Sequence, residues 1–162
     1  MLRESWEMFA AVLLVALPLV WFGMITAISF IETPLKFRAP GMTHALGVGI
    51  GRIVFKVLNL VEACFAVVIL GAWTQQPDVV GFPAGVLLAL PIAALILQTL
   101  VLRPAMGVRT KALAATAATH NGSIAVQAKV STPTHIAYIG AELLKAIALP
   151  IAGVLVLLAV AQ

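Results

Sequence analysis

The residues most suited to chemistry form two polar stripes inside apolar stretches of the chain. The first stripe lies in residues 132–160, and its members are spaced three, four and three residues apart: His135, Tyr138, Glu142 and Lys145. Residues at these spacings share one face of an α-helix. An acid and a base deep in an apolar helix are costly unless they face a bundle interior and find a partner there. The stripe therefore indicates either a polar binding pocket or a set of ion pairs that only fixes helix register.

The second stripe lies in residues 49–73, and its members are spaced four, three and three residues apart: Arg52, Lys56, Asn59 and Glu62. At about 1.5 Å of rise per residue, Glu62 and Lys145 reach similar depths if both helices start from the same side. We expect Glu62 to pair with Lys145. We also expect Glu142 to pair with Lys56 or Arg52. These pairs predict that the two helices pack side by side, with a polar groove between them that opens to the cytoplasmic side.

The elements that position the stripes follow from the composition. The chain has 162 residues, of which 62% are hydrophobic and 10% charged, and its mean hydropathy is +1.12. Soluble domains average about 45–50% apolar and 25% charged residues. The sequence therefore predicts an integral membrane protein whose partner is the lipid bilayer, and we expect no nucleic-acid partner.

Four apolar stretches are each long enough to cross a bilayer as a helix, which takes about 20 residues. Their approximate bounds are 8–31, 49–73, 79–102 and 132–160. We predict an all-α fold, an integral membrane four-helix bundle that forms a single domain over residues 1–162. Pro34 and Pro40 predict a turn directly after the first stretch. We expect Trp21, within that stretch, to be a membrane-interface or packing aromatic.

The lysines and arginines predict an orientation. They concentrate in the first and third connections and their flanks: Lys36, Arg38, Arg52, Arg103, Arg109, Lys111 and Lys129. Connections rich in Lys and Arg stay in the cytoplasm. We therefore expect a multi-pass protein of the inner (plasma) membrane with both chain termini on the non-cytoplasmic side.

Gly47 and Gly51 form a G-x-x-x-G pair at the start of the second stretch. Small residues at this spacing let another helix approach closely in a membrane. The pair predicts a helix contact, either within a homo-oligomer or with a partner membrane protein.

Other chemistry is not supported by the residue pattern. His44 and His120 lie in connections, whereas haem ligands have to lie inside the bundle. The glutamates lack the Glu-x-x-His spacing of di-iron bundles. Cys64 is the only cysteine, so no cysteine metal cluster can form. No nucleophile stands beside an evident base, so the catalytic residues of any reaction are unknown. We also expect no metal and no cofactor.

Two resemblances add expectations. The stretch from Phe30 to Gly41, followed by residues 49–55 and 59–62, resembles small uncharacterised four-span inner-membrane proteins of Gram-negative bacteria. Residues 102–106, Leu-Arg-Pro-Ala-Met, also fit that group. The resemblance covers nearly the whole chain and implies the four-span fold but no activity.

The second resemblance is to the MAPEG family of membrane-associated glutathione and eicosanoid enzymes. Arg52, Asn59 and Glu62 match the spacing of the Arg…Asn-x-x-Glu pattern on that family's second helix. The resemblance implies a four-helix trimer that binds glutathione between subunits. The chain departs from the family at Gly51, where the family has an acid.

The polar stripes favour a non-enzymatic membrane protein. It would bind a small or lipophilic ligand, or a partner membrane protein, through the groove between the second and fourth spans. A MAPEG-like glutathione-dependent enzyme and a subunit of an oligomeric transporter are the alternatives.

Overall fold

The computed structural model describes residues 2–104 and 132–162, and no strand occurs in these two ranges. The first helix, α1 (Leu2–Ile25), continues through a π-helical segment (Thr26–Glu32) into the short helix α2 (Thr33–Lys36). Pro34 lies in the first turn of α2, where its missing N–H costs least. The predicted turn after residue 31 therefore begins later, at residue 37.

Three further helices complete the described chain. Helix α3 spans His44–Gln75, and the side chain of Thr43 caps its start by accepting a hydrogen bond from the backbone N–H of Leu46. Helix α4 (Phe82–Leu97) leads directly into a second π-helical segment, Gln98–Leu102. Helix α5 spans Thr132–Val160. Gly41 has a φ of 76°, a backbone conformation that favours glycine, and it turns the chain between α2 and α3.

Four helical segments in the described ranges are long and apolar enough to cross a membrane: Arg3–Lys36, Leu46–Gln75, Phe82–Leu102 and Ile136–Val160. The prediction of an all-α chain with four such helices is confirmed. The predicted basic residues Arg109, Lys111 and Lys129 lie outside the described residues, as does His120.

The four helices form a bundle in which α5 packs against α1 and α4, and α1 also packs against α3. Helices α3 and α5 are not direct neighbours but face each other across the interior. The prediction that they pack side by side is therefore wrong. A close contact between α1 and α5 separates them: a Cβ at Gly153 would lie 3.2 Å from Leu19 and 3.4 Å from the carbonyl oxygen of Val15.

The apolar core fills the half of the bundle where α1 begins and α5 ends, which we call the terminal end. Its fully buried members come from all four long helices: Leu14, Trp21, Ile25, Ile69, Leu149, Ala152 and Val156, with Leu88 nearly so. The opposite half, towards α2, is the connection end. Buried polar residues begin where this core stops, so the apolar core closes the polar interior from the terminal end.

Gly47 and Gly51 are both buried, but another span does not cover them in the described structure. A Cβ at Gly47 would overlap the ring of Phe37, and a Cβ at Gly51 would lie 3.1 Å from Nζ of Lys36. Because the two glycines lack a Cβ, Lys36 and Phe37 can pack directly against α3. The predicted contact with another subunit or a partner membrane protein at these glycines stays a prediction.

The α1–α5 contact makes a testable prediction at Gly153. A leucine there has to displace Leu19 and the α1 backbone, and such overpacking costs about 1–3 kcal/mol. Gly153→Leu should therefore lower the free energy of unfolding, measured by thermal unfolding in mild detergent. Gly23→Leu is the matched control, because a Cβ at Gly23 meets nothing within 4 Å. Equal unfolding temperatures for the two variants would show that the close α1–α5 contact is absent in solution.

Candidate functional site

Three charged side chains meet in the bundle interior. Nζ of Lys145 lies 2.7 Å from Oε1 of Glu62 and 2.8 Å from Oε1 of Glu142. The side chains of Lys145 and Glu62 are 0% exposed, and that of Glu142 is 3% exposed. Buried charges of this kind need close partners because the interior solvates them poorly. We call these three residues, with the side chains that bond their carboxylates, the buried polar cluster.

Three uncharged donors complete the buried polar cluster. Nε1 of Trp21, on α1, donates to Oε1 of Glu62 over 2.8 Å. Nε2 of Gln98 donates to Oε1 of Glu142 over 2.8 Å, and Oγ of Ser29 donates to Oε2 of Glu142 over 2.8 Å. The cluster thus draws on all four long helical segments.

Both donors to Glu142 lie in π-helical segments. Ser29 is in Thr26–Glu32, and Gln98 begins Gln98–Leu102. A π-helical turn shifts the side chains that follow it to a different face, and such turns are frequent at functional sites. The two segments therefore aim polar side chains inward at one carboxylate from opposite sides of α5.

Several buried polar atoms within the described ranges have no hydrogen-bond partner. They are Oε2 of Glu62, Oε1 of Gln98, Nδ2 of Asn59 and Oγ1 of Thr26. Most buried polar atoms in folded proteins are paired, so each exception calls for an explanation. The buried polar cluster is thus well bonded on its Lys145 side and unsatisfied around Glu62 and Asn59.

Tyr138 and Asn59 extend the polar interior towards the connection end. The Tyr138 hydroxyl donates to Oδ1 of Asn59 over 3.4 Å, and its ring packs edge-on against Phe55 at 5.6 Å between centroids. Nζ of Lys36 lies 5.9 Å from the centroid of Phe55. Tyr138 is only half-buried, so it marks the end at which the polar interior comes nearest to solvent.

The structure brings together some of the predicted residues and separates others. The expected pair between Glu62 and Lys145 is present. Glu142 does not pair with Arg52 or Lys56, because both basic side chains are exposed on the outside of α3. Asn59 and Tyr138 join the polar interior. His135 lies in the first turn of α5, and its side chain is outside the described part of the structure.

The predicted groove is a closed interior instead. The charged atoms are shielded by α1 on one side and α4 on the other. Two shallow cavities are lined by apolar residues and reach none of the cluster: about 370 Å³ near Trp6 and Leu13, and about 350 Å³ between α4 and α5 near Ala94 and Gly140.

The three uncharged donors were not predicted from the sequence. Trp21 was expected at the membrane interface or in packing, yet its indole N–H is committed to Glu62. Trp21 lies near the middle of its apolar stretch, and Glu62 lies at a similar depth in a different apolar stretch. This shared depth was the sequence feature that could have indicated the contact. Gln98 stood out only as a polar residue late in its stretch, and Ser29 carried no signal.

In residues 2–104 and 132–162, no three His, Cys, Asp or Glu side chains are grouped as a metal site requires. Nζ of Lys145 is held between two carboxylates. The residues behind the MAPEG resemblance diverge, since Arg52 is exposed while Asn59 and Glu62 are buried.

No protein-family model, curated protein or solved structure matches this chain. The two resemblances therefore stay predictions. The function has to be argued from the buried polar cluster and the surface that surrounds it.

The bond between Trp21 and Glu62 predicts a measurable contribution to stability. Trp21→Phe keeps an aromatic ring but removes the N–H donor, and the loss of a partner for a buried polar group costs about 1–3 kcal/mol. We expect a corresponding loss in the free energy of unfolding, measured by thermal unfolding. Trp6→Phe, at a tryptophan that is 68% exposed, should leave the unfolding temperature unchanged. A Trp21→Phe protein that unfolds like Trp6→Phe would contradict the assigned bond.

Proposed function

We propose that this chain is a multi-pass protein of the inner membrane that binds a small ligand in the polar interior between α3 and α5, without catalysing a reaction on it. The surface supports the membrane setting. Large apolar side chains are exposed along every long helix, including Val12, Leu60, Ile96 and Leu157. Apolar exposure of this extent fits contact with lipid.

One observation carries the binding role. The cluster draws side chains from every long helical segment, yet Glu62 Oε2, Gln98 Oε1 and Asn59 Nδ2 are buried without a partner in the described structure. A network that served only to fix helix register gains nothing from these unpaired atoms, since each one costs about 1–3 kcal/mol. They supply polar groups to which a small polar ligand can form hydrogen bonds.

The connection end is the proposed entrance. The apolar core closes the interior at the terminal end, whereas Tyr138 and Asn59 lie towards the opposite end. The basic residues of the first connection lie there too, and they favour the cytoplasmic side. A ligand from the cytoplasm therefore meets the half-buried Tyr138 before it meets Glu62.

Native mass spectrometry of protein released from mild detergent tests the proposal. We expect the wild type to retain a small molecule that Asn59→Leu loses, because the substitution replaces the unpartnered amide with an apolar group of similar size. Lys56→Leu is the matched control one turn earlier on α3, where the side chain is exposed, and it should retain the molecule.

The other outcomes separate the alternatives. A wild-type spectrum with only bulk phospholipid, the same in both variants, would contradict the binding role. A trimer that retains a thiol peptide, and loses it on Arg52→Ala, would favour the glutathione-dependent enzyme instead.

A further inference from the structure

The buried polar cluster contains one more acid than base. Glu62 and Glu142 are its two carboxyl groups, and Lys145 is its only ammonium group within the described residues. The α1 side contributes Trp21 and Ser29, and the α4 side contributes Gln98, all uncharged. With both carboxyl groups ionised, the interior carries one uncompensated negative charge, which is strongly unfavourable in a medium of low dielectric constant.

Neighbouring charged groups do not supply the missing positive charge. Arg52 and Lys56, on the same helix as Glu62, are exposed on the outside of α3. Arg103 makes no ion pair with Glu62 or Glu142, and Lys36 pairs with Glu32 instead. Tyr138 is an uncharged hydrogen-bond donor to Asn59. The excess negative charge thus has to be balanced inside the cluster.

The hydrogen bonds indicate where a balancing proton resides. Oε1 of Glu62 accepts from Trp21 and Lys145, and Oε1 of Glu142 accepts from Gln98 and Lys145. Oε2 of Glu142 accepts from Ser29. Oε2 of Glu62 is the one carboxyl oxygen of the cluster without a partner among the described residues. An oxygen that receives no donor is the one best able to hold a proton of its own.

We propose that the buried polar cluster is a proton-binding site that holds one exchangeable proton on Oε2 of Glu62. A hydronium ion transfers its proton to the Glu62 carboxylate and leaves as water, while Lys145 stays an ammonium paired with the Glu142 carboxylate. No electron is transferred. A metal cation suits the site less well, because the ammonium of Lys145 already lies between the two carboxylates and repels a second cation.

The route of exchange runs towards the connection end. Asn59 lies one helical turn before Glu62, with its Nδ2 unpartnered, and its Oδ1 accepts from the half-buried Tyr138. On the other side of Glu62, Ile69 and Leu149 are 0% exposed and close the path. The inference concerns the same interior as the proposed binding function but rests on charge and hydrogen bonds. A mass spectrum without a ligand would leave it standing.

Infrared spectroscopy of the full chain in lipid vesicles tests the proposal. At neutral pH we expect the wild type to show the C=O stretching band of a protonated carboxyl group, and the band should shift in D₂O. Glu62→Gln should abolish the band, because the charges of Glu142 and Lys145 then cancel and no carboxyl group needs a proton. Glu62→Asp should move the band, whereas Glu142→Asp should leave its position unchanged. Asp78→Asn, at an exposed turn, is the control and should change nothing in this region.

Each contrary result overturns the proposal. A wild-type spectrum without the band would show that both carboxyl groups are ionised. A band that survives Glu62→Gln, or that moves in Glu142→Asp but not in Glu62→Asp, would place the proton elsewhere. A band removed by sodium chloride, but not by choline chloride at equal ionic strength, would replace the proton with a metal cation.

Discussion

Lys145→Met is expected to lower the free energy of unfolding by about 3–5 kcal/mol, the loss typical of breaking a buried ion pair by removing one partner. Lys145 is fully buried and bonds both carboxylates of the cluster. Without it, Glu62 and Glu142 face each other with no positive charge between them. With the proton on Glu62, the Glu142 carboxylate becomes a buried charge without a positive partner, and with both groups ionised the interior holds two like charges. Either state costs stability. Thermal unfolding followed by circular dichroism in mild detergent measures the effect.

The matched control is Lys56→Met on α3. Lys56 is exposed, so the same chemical change should leave the unfolding temperature close to that of the wild type. Unfolding of Lys145→Met at the wild-type temperature would show that the cluster does not depend on its ammonium group.

The Glu62–Lys145 pair was predictable because depth along a helix is linear in sequence. Two apolar stretches that start from the same side place residues equally far along them at the same level. An interior acid and base at one level then have to meet, whether their helices are neighbours or face each other diagonally. The long lysine side chain makes the diagonal pair reachable, which is why the pair forms although the packing prediction was wrong.

The pairs with Arg52 and Lys56 failed for a geometric reason. At about 100° per residue, Lys56 lies about 120° and Arg52 about 80° around the helix axis from Glu62. Each spacing of three residues falls about 60° short of a full turn, so two in succession carry Lys56 to the outside, and the spacing of four recovers only about 40° at Arg52. Only Asn59, about 60° away, turns inward with Glu62. The outer positions leave the two basic side chains exposed.

Trp21, Ser29 and Gln98 were out of reach for a different reason. Each is a donor from a helix other than the one that carries its carboxylate partner, and such pairing depends on which helices are neighbours. Ser29 and Gln98 also owe their orientation to π-helical segments, which shift the periodicity on which the sequence argument relied. The charged half of the cluster could thus be read from spacing, whereas its uncharged half required the tertiary arrangement.

Replacing both glutamates should be far more damaging than replacing either one. Glu62→Gln leaves Glu142 balanced by Lys145, and Glu142→Gln leaves Glu62 balanced by Lys145. We expect each single variant to lose less than about 1.5 kcal/mol, the size of one neutral hydrogen bond. The double variant leaves the Lys145 ammonium buried and unpaired, which costs about 3–5 kcal/mol. The loss in the double variant should therefore exceed the sum of the two single losses, as measured by thermal unfolding.

A third substitution shows whether charge causes that loss. Adding Lys145→Met to the double glutamine variant removes the last buried charge, so much of the lost stability should return. Replacing a whole buried ionic group with uncharged residues of similar volume is often neutral or stabilising. The same methionine would then destabilise the wild type and stabilise the double variant, a change of sign that packing alone does not produce. Single losses that simply add, with no recovery in the triple variant, would show that the three residues act as separate side chains rather than as one charge-balanced cluster.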